Sequence, residues 1–145
     1  MPCRDHLLQL QEHRSEFEAT GVEIAALTFE APHFAERYLE ETGWPWPLLV
    51  DQDRRAYRDY GLIQGSRWAV LGPHLWPGYL KLIFSRAAKV EKPHDDIYQL
   101  GGNFVIDAEG HIVLAHRSRS PLDRPTVDVL LEALEQAGES GTGER

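Results

Sequence analysis

The chain has 145 residues, a net charge of −8 with histidine neutral, 42% hydrophobic residues and 26% charged ones. Those values match one ordinary globular domain and exclude a disordered chain, a collagen-like repeat and a disulfide scaffold. No run of about 18 apolar residues exists, so no spanning helix is expected, and the acidic balance disfavours nucleic-acid phosphates as partners.

The single cysteine, Cys3, cannot form an internal disulfide. The first eleven residues are polar and lack an apolar signal-peptide core, so a reducing cytoplasm is the expected compartment.

Residues 5–18 carry Leu7, Leu10 and Phe17 at helical spacing among polar neighbours, which predicts one amphipathic helix stopped by Gly21. Residues 22–27 form a short apolar run with β-branched members, a buried strand by length and flank. Pro32 suits a first helical turn. Phe34, Ala35, Tyr38 and Leu39 mark the helix face that follows, and Gly43 closes it. Residues 48–50 predict a second strand. A short helix spans 53–60, ended by Gly61.

Residues 64–93 are the least regular part. Trp68, Trp76, Tyr79, Leu80, Ile83 and Phe84 are bulky and apolar, and Lys81, Arg86, Lys89 and Lys92 are basic. One helix is expected at about 78–86. The stretch could lie on a membrane or a partner; the preferred reading is a lid that buries its rings against the sheet. Residues 103–106 and 111–116 flank the turn Asp107-Ala108-Glu109-Gly110 and predict a β-hairpin. A last helix starts near Thr126. The order predicts a mixed sheet flanked by helices, with segments 22–27, 48–50, 103–106 and 112–115 in one sheet.

Cys3 stands at the start of the first helix. An N-terminal helix end offers unpaired N–H groups and partial positive charge, both of which favour a thiolate. Arg4 would add to this, and Asp5 opposes it. The bland alternative is an exposed thiol near a chain end. Cys3 and His6 are spaced i, i+3 and share a helix face, so His6 could act as a base. A metal is not expected, because no second Cys/His pair has ligand spacing. His111 and His116, five apart in a strand, point to opposite faces. Asp51 and Asp53 follow a strand end, where a turn-forming role is preferred over ligand binding.

Met1-Pro2-Cys3-Arg4 resembles the second half of a thioredoxin-type C-x-P-C-R motif. Together with Pro47-Leu48-Leu49-Val50-Asp51, Tyr57-Arg58-Asp59-Tyr60-Gly61-Leu62, Gln99-Leu100-Gly101-Gly102-Asn103-Phe104-Val105-Ile106-Asp107 and His116-Arg117-Ser118, it makes the chain similar to the peroxiredoxin-like branch of the AhpC/TSA (redoxin) family. The likeness runs from Pro2 to about Ala137. It implies an α/β, thioredoxin-like domain over 1–137 with a flexible tail over 138–145. It also implies a reactive Cys3, and an arginine in an Asp123-Arg124-Pro125-Thr126-Val127-Asp128 string that would make Arg124 its electrostatic helper.

The family carries a strand and a Cys or Thr ahead of this cysteine. The sequence opens after both, so the resemblance implies a sheet with a gap. The thioredoxin cis-proline position falls on Gly101-Gly102. The expected substrate is a peroxide, the expected reductant an external thiol, and no bound cofactor is implied. No nucleic-acid or membrane partner is expected; a homodimer is compatible. The rival reading is a redox-inactive binding module that uses its aromatic 68–84 excursion as a contact surface.

Overall fold

A computed structural model describes residues 2–86 and 97–140; Lys89, Lys92 and the tail residues 141–145 lie outside the described part. The N-terminal helical region is two helices, α1 (Pro2–Glu12) and α2 (Arg14–Ala19), where the periodicity predicts one. The break falls at His13, whose backbone leaves the helical basin at φ −97°, ψ 21°. Apolar spacing continues across the break, which is why it is invisible in the pattern.

Strand β1 (Ala26–Thr28) follows, then α3 (Pro32–Thr42), which starts on its proline and ends on Gly43 at φ 61°. Only glycine adopts that left-handed cap without strain. Strand β2 (Leu48–Val50) leads to α4 (Arg55–Asp59). The Asp51 carboxylate accepts from the backbone N–H groups of Arg55 and Ala56 at 3.1 and 2.9 Å, so this aspartate caps the turn into α4. The excursion contains α5 (Arg67–Leu71), a single 3-10 turn at Pro73–Leu75, and α6 (Trp76–Arg86). Strands β3 (Gly102–Ile106) and β4 (Ile112–Arg117) form the hairpin, and α7 (Val127–Ser140) ends the description. Residues 138–140, expected in the tail, are helical.

Three of the expected strand segments are strands, and of the fourth, 22–27, only the end is, since β1 starts at Ala26; the four strands do not make one sheet. β1 pairs with β2 in parallel and β3 with β4 antiparallel, as two separate two-stranded sheets. Among the described residues no strand joins β1 to β3. Apolar packing joins them instead. Leu10, Phe17, Tyr38, Trp44, Val105, Val127, Leu130 and Ala133 form one buried cluster, with Ala26, Leu48 and Leu114 packed against it. Each sheet therefore contributes a face to the same core.

The expected lid is also corrected. Val70 and Leu75 are buried, and the Tyr79 hydroxyl donates to the Val70 carbonyl at 3.0 Å. Trp68, Trp76 and Phe84, however, are 67%, 61% and 84% exposed. The excursion packs through its smaller side chains and turns its largest rings outward.

Candidate active site

Helix α1 carries Cys3 in its first turn; the cysteine side chain lies outside the described residues. One turn further on, His6 is only 6% exposed. The amide nitrogen of Asn103, on β3, lies 2.9 Å from its Nε2. The amide donates and the imidazole accepts, which requires a neutral ring with its proton on Nδ1.

Burial is the main cause that pulls the His6 pKa down to about 4; the Arg124 guanidinium and His116 push the same way, and Asp5 opposes them. At neutral pH His6 is thus uncharged and a weak base. Its burial and the Asn103 contact at Nε2 both count against the expected role of His6 as a base.

Two glycines let the strand carrying Asn103 approach its neighbours. A Cβ on Gly102 would lie 2.7 Å from the His116 carbonyl oxygen and 2.8 Å from Leu62 Cδ2. A Cβ on Gly101 would lie 3.0 Å from Nη1 of Arg124, so the guanidinium passes directly over this residue. No cis peptide occurs among the described residues, so the Gly101-Gly102 pair supplies close approach by its lack of side chains.

Arg124 sits on the loop before α7, and its neighbour Asp123 anchors that loop. One Asp123 oxygen accepts from His116 Nε2 at 3.0 Å, and the other accepts from the Arg119 backbone N–H at 2.7 Å. His116 and His111 are unpaired with each other, as their spacing predicts: His111 lies by Asp107 and His116 by Asp123. Beside this cluster is an open depression of about 810 Å³, whose walls include Gly61, Arg117, His116, Ser118 and Asp123. The Arg117 guanidinium donates to the Tyr60 carbonyl at 2.7 Å and stacks 5.4 Å from the Phe104 ring centre.

Of the residues singled out in the sequence, Cys3 and His6 share α1, and the Arg124 guanidinium acts electrostatically on His6. Arg4 has contacts elsewhere, on α3. It pairs with Glu41 at 3.5 Å and lies over the Tyr38 ring at 5.1 Å. Asn103 and Asp123 carried no signal of their own in the sequence. Their roles come from contacts with residues 97 and 7 positions away in the chain. Among the described residues no group of three or more His, Cys, Asp or Glu side chains could hold a metal ion.

The sequence model described as AhpC/TSA antioxidant enzyme matches residues 9–120. The chain belongs to that family. Its mixed α/β architecture is accordingly thioredoxin-like, with the sheet divided into two pairs. The match leaves Cys3 and Arg124 just outside its two ends. Two curated relatives are both called Peroxiredoxin-like 2C. The one from Takifugu rubripes is 22% identical over 141 residues, covering 90% of this chain and 62% of the relative. The one from Homo sapiens is 25% identical over 138 residues, covering 90% and 61%. This family member therefore spans about three-fifths of the length of those relatives. No solved structure matches it. No helix among the described residues is long and apolar enough to cross a membrane.

Proposed function

We propose that this redoxin-family protein reduces a peroxide, or a related electrophile, through Cys3, with Arg124 as its electrostatic helper. The observation that supports the reading is that Arg124 lies over Gly101, two residues before the Asn103 whose amide meets His6, and His6 stands one turn along α1 from Cys3. The thiolate sulfur attacks one peroxide oxygen, the O–O bond breaks, and the departing oxygen leaves as an alkoxide or hydroxide that takes up a proton. Sulfur is oxidised to the sulfenic acid and the peroxide is reduced. Arg124 would stabilise the charge on the departing oxygen. One external thiol then forms a mixed disulfide with release of water, and a second frees the Cys3 thiol as the external disulfide leaves.

The test is peroxide treatment of the 145-residue chain, with trapping of the sulfenic acid by dimedone and location of the adduct by mass spectrometry. The expected adduct is on Cys3 and absent from Cys3→Ser. Arg124→Ala should slow its formation by at least about tenfold. The exposed aromatic excursion favours one second reading, a redox-inactive binding module. No adduct, with a thiol that titrates near 8.5 whether or not Arg124 is present, would leave that module as the surviving reading.

A further inference from the structure

Helix α6 presents an unpartnered apolar face. Trp76, Leu80, Ile83 and Phe84 are 61%, 54%, 45% and 84% exposed. Their spacing of i, i+4, i+7 and i+8 puts them in one stripe. Trp68 and Leu71 on the neighbouring α5 are 67% and 53% exposed. They make up six of the fifteen large hydrophobic residues that stand exposed among the described residues, and include every exposed Trp and Phe among them.

Charge is segregated in the same place. Between Asp59 and Glu91 the sequence contains no acidic residue, although 23 of its 145 residues are acidic. The described cations there, Arg67 and Lys81, are both exposed. An acidic protein has thus cleared negative charge from the one region where it exposes aromatic rings.

We propose that the α5–α6 face docks peripherally on an anionic lipid surface, with Trp76, Leu80, Ile83 and Phe84 entering the interface and Lys81 and Arg67 facing the headgroups. Three observations select this occupant. The α5–α6 stretch carries exposed cations and no acidic residue of its own, so it complements a negative surface better than a neutral one. A two-fold pairing with a second copy would set this face, with its cations, against itself. The rings also project outward: neither the depression beside His116 nor the smaller cavity between Glu16 and Gly138 is lined by any of them. Projecting Trp and Phe side chains on a short amphipathic helix suit a deformable interface, where the polar ring edge stays wet and the apolar body is covered. The inference is independent of the thiol chemistry, so Cys3→Ser should dock like the parent chain.

The test is co-sedimentation of the full chain with vesicles of phosphatidylcholine alone and with about a third phosphatidylserine. Binding is expected only to the second kind, should weaken as salt is raised, and should shift tryptophan emission to the blue. Lys81→Glu should weaken it by at least about fivefold, and Leu80→Ser with Phe84→Ser by at least about tenfold. These side chains are exposed, so an unchanged circular-dichroism spectrum will show that each variant folds. Failure to bind either vesicle, or equal binding by parent and variants, overturns the proposal. So does a concentration-dependent dimer that the Phe84→Ser change abolishes, since a second copy would then be the occupant.

Discussion

His6 has the most strongly displaced titration in the described chain, and its sign has a consequence for stability. The folded value of about 4 lies below the ordinary 6.5. Between those values the unfolded chain binds a proton that the folded one excludes, so stability rises with pH across that window. Above about 6.5 the contribution is complete. As pH falls through 4 it is lost, by an amount on the order of 3 kcal/mol for a shift of this size. Urea titrations at a series of pH values should show the slope, and His6→Gln should remove most of it. An unchanged slope in that variant would mean that acid destabilisation comes from elsewhere. The same neutrality shapes the site: Asn103 can donate to Nε2 only while that nitrogen carries no proton. Acid should therefore loosen the junction of α1 with β3 before it touches the core.

At the level of elements, the β3–β4 hairpin is the piece that assembles the site, and its glycines set how closely it can approach. Gly102 pairs with Arg117 across the ladder, and a Cβ there would meet both a backbone oxygen and a leucine methyl at under 3 Å. Backbone cannot give way as a flexible side-chain end can. Gly102→Ala is expected to cost about 1–3 kcal/mol, measured as a lowered urea midpoint. It should also displace Asn103 from His6. Gly101→Ala is expected to be milder, because the group in its way is the end of a long arginine side chain. Equal stability losses for the two would contradict this ordering. The α4 turn makes the same point with polar groups. Asp51 spends its carboxylate on two helix-end N–H groups, so its place after a strand end is explained without a ligand.

For the whole molecule, two strand pairs that share no ladder are held by one apolar cluster. Phe17 is central to it: 2% exposed and edge-to-face with Trp46 at 6.5 Å between ring centres. The cluster draws on α1, α2, α3, β3 and α7 and touches β1 and β2. Phe17→Ala should therefore destabilise both pairs together, by about 3–5 kcal/mol. Amide exchange in β1 and in β3 should accelerate by similar factors in that variant. Acceleration confined to one pair would show that the two halves have separate cores. The charge distribution belongs to this scale as well. A net charge of −8 belongs to the molecule as a whole and says nothing of a local stretch such as α5–α6, whose sequence contains no acidic residue.

Alone, the amino-acid order located the strand regions, though it began the first one four residues too early, and showed where glycine and proline bound the helices, the α/β class and the redoxin kinship. These are local or near-local properties: apolar periodicity, the left-handed caps at Gly43 and Gly61, and short motifs in chain order. It also marked Cys3 and Arg124 as the residues to examine. Tertiary structure alone decided the rest. It split α1 from α2 at His13, although the apolar spacing runs through the break. It divided four strands into two sheets, because ladder pairing depends on which edges meet and apolar runs carry no record of that. It turned Trp76 and Phe84 outward, since a hydrophobic run does not say which of its members finds a core. It also brought Asn103 to His6 and Asp123 to His116, polar contacts that no spacing rule foretells because their partners meet only when the chain folds.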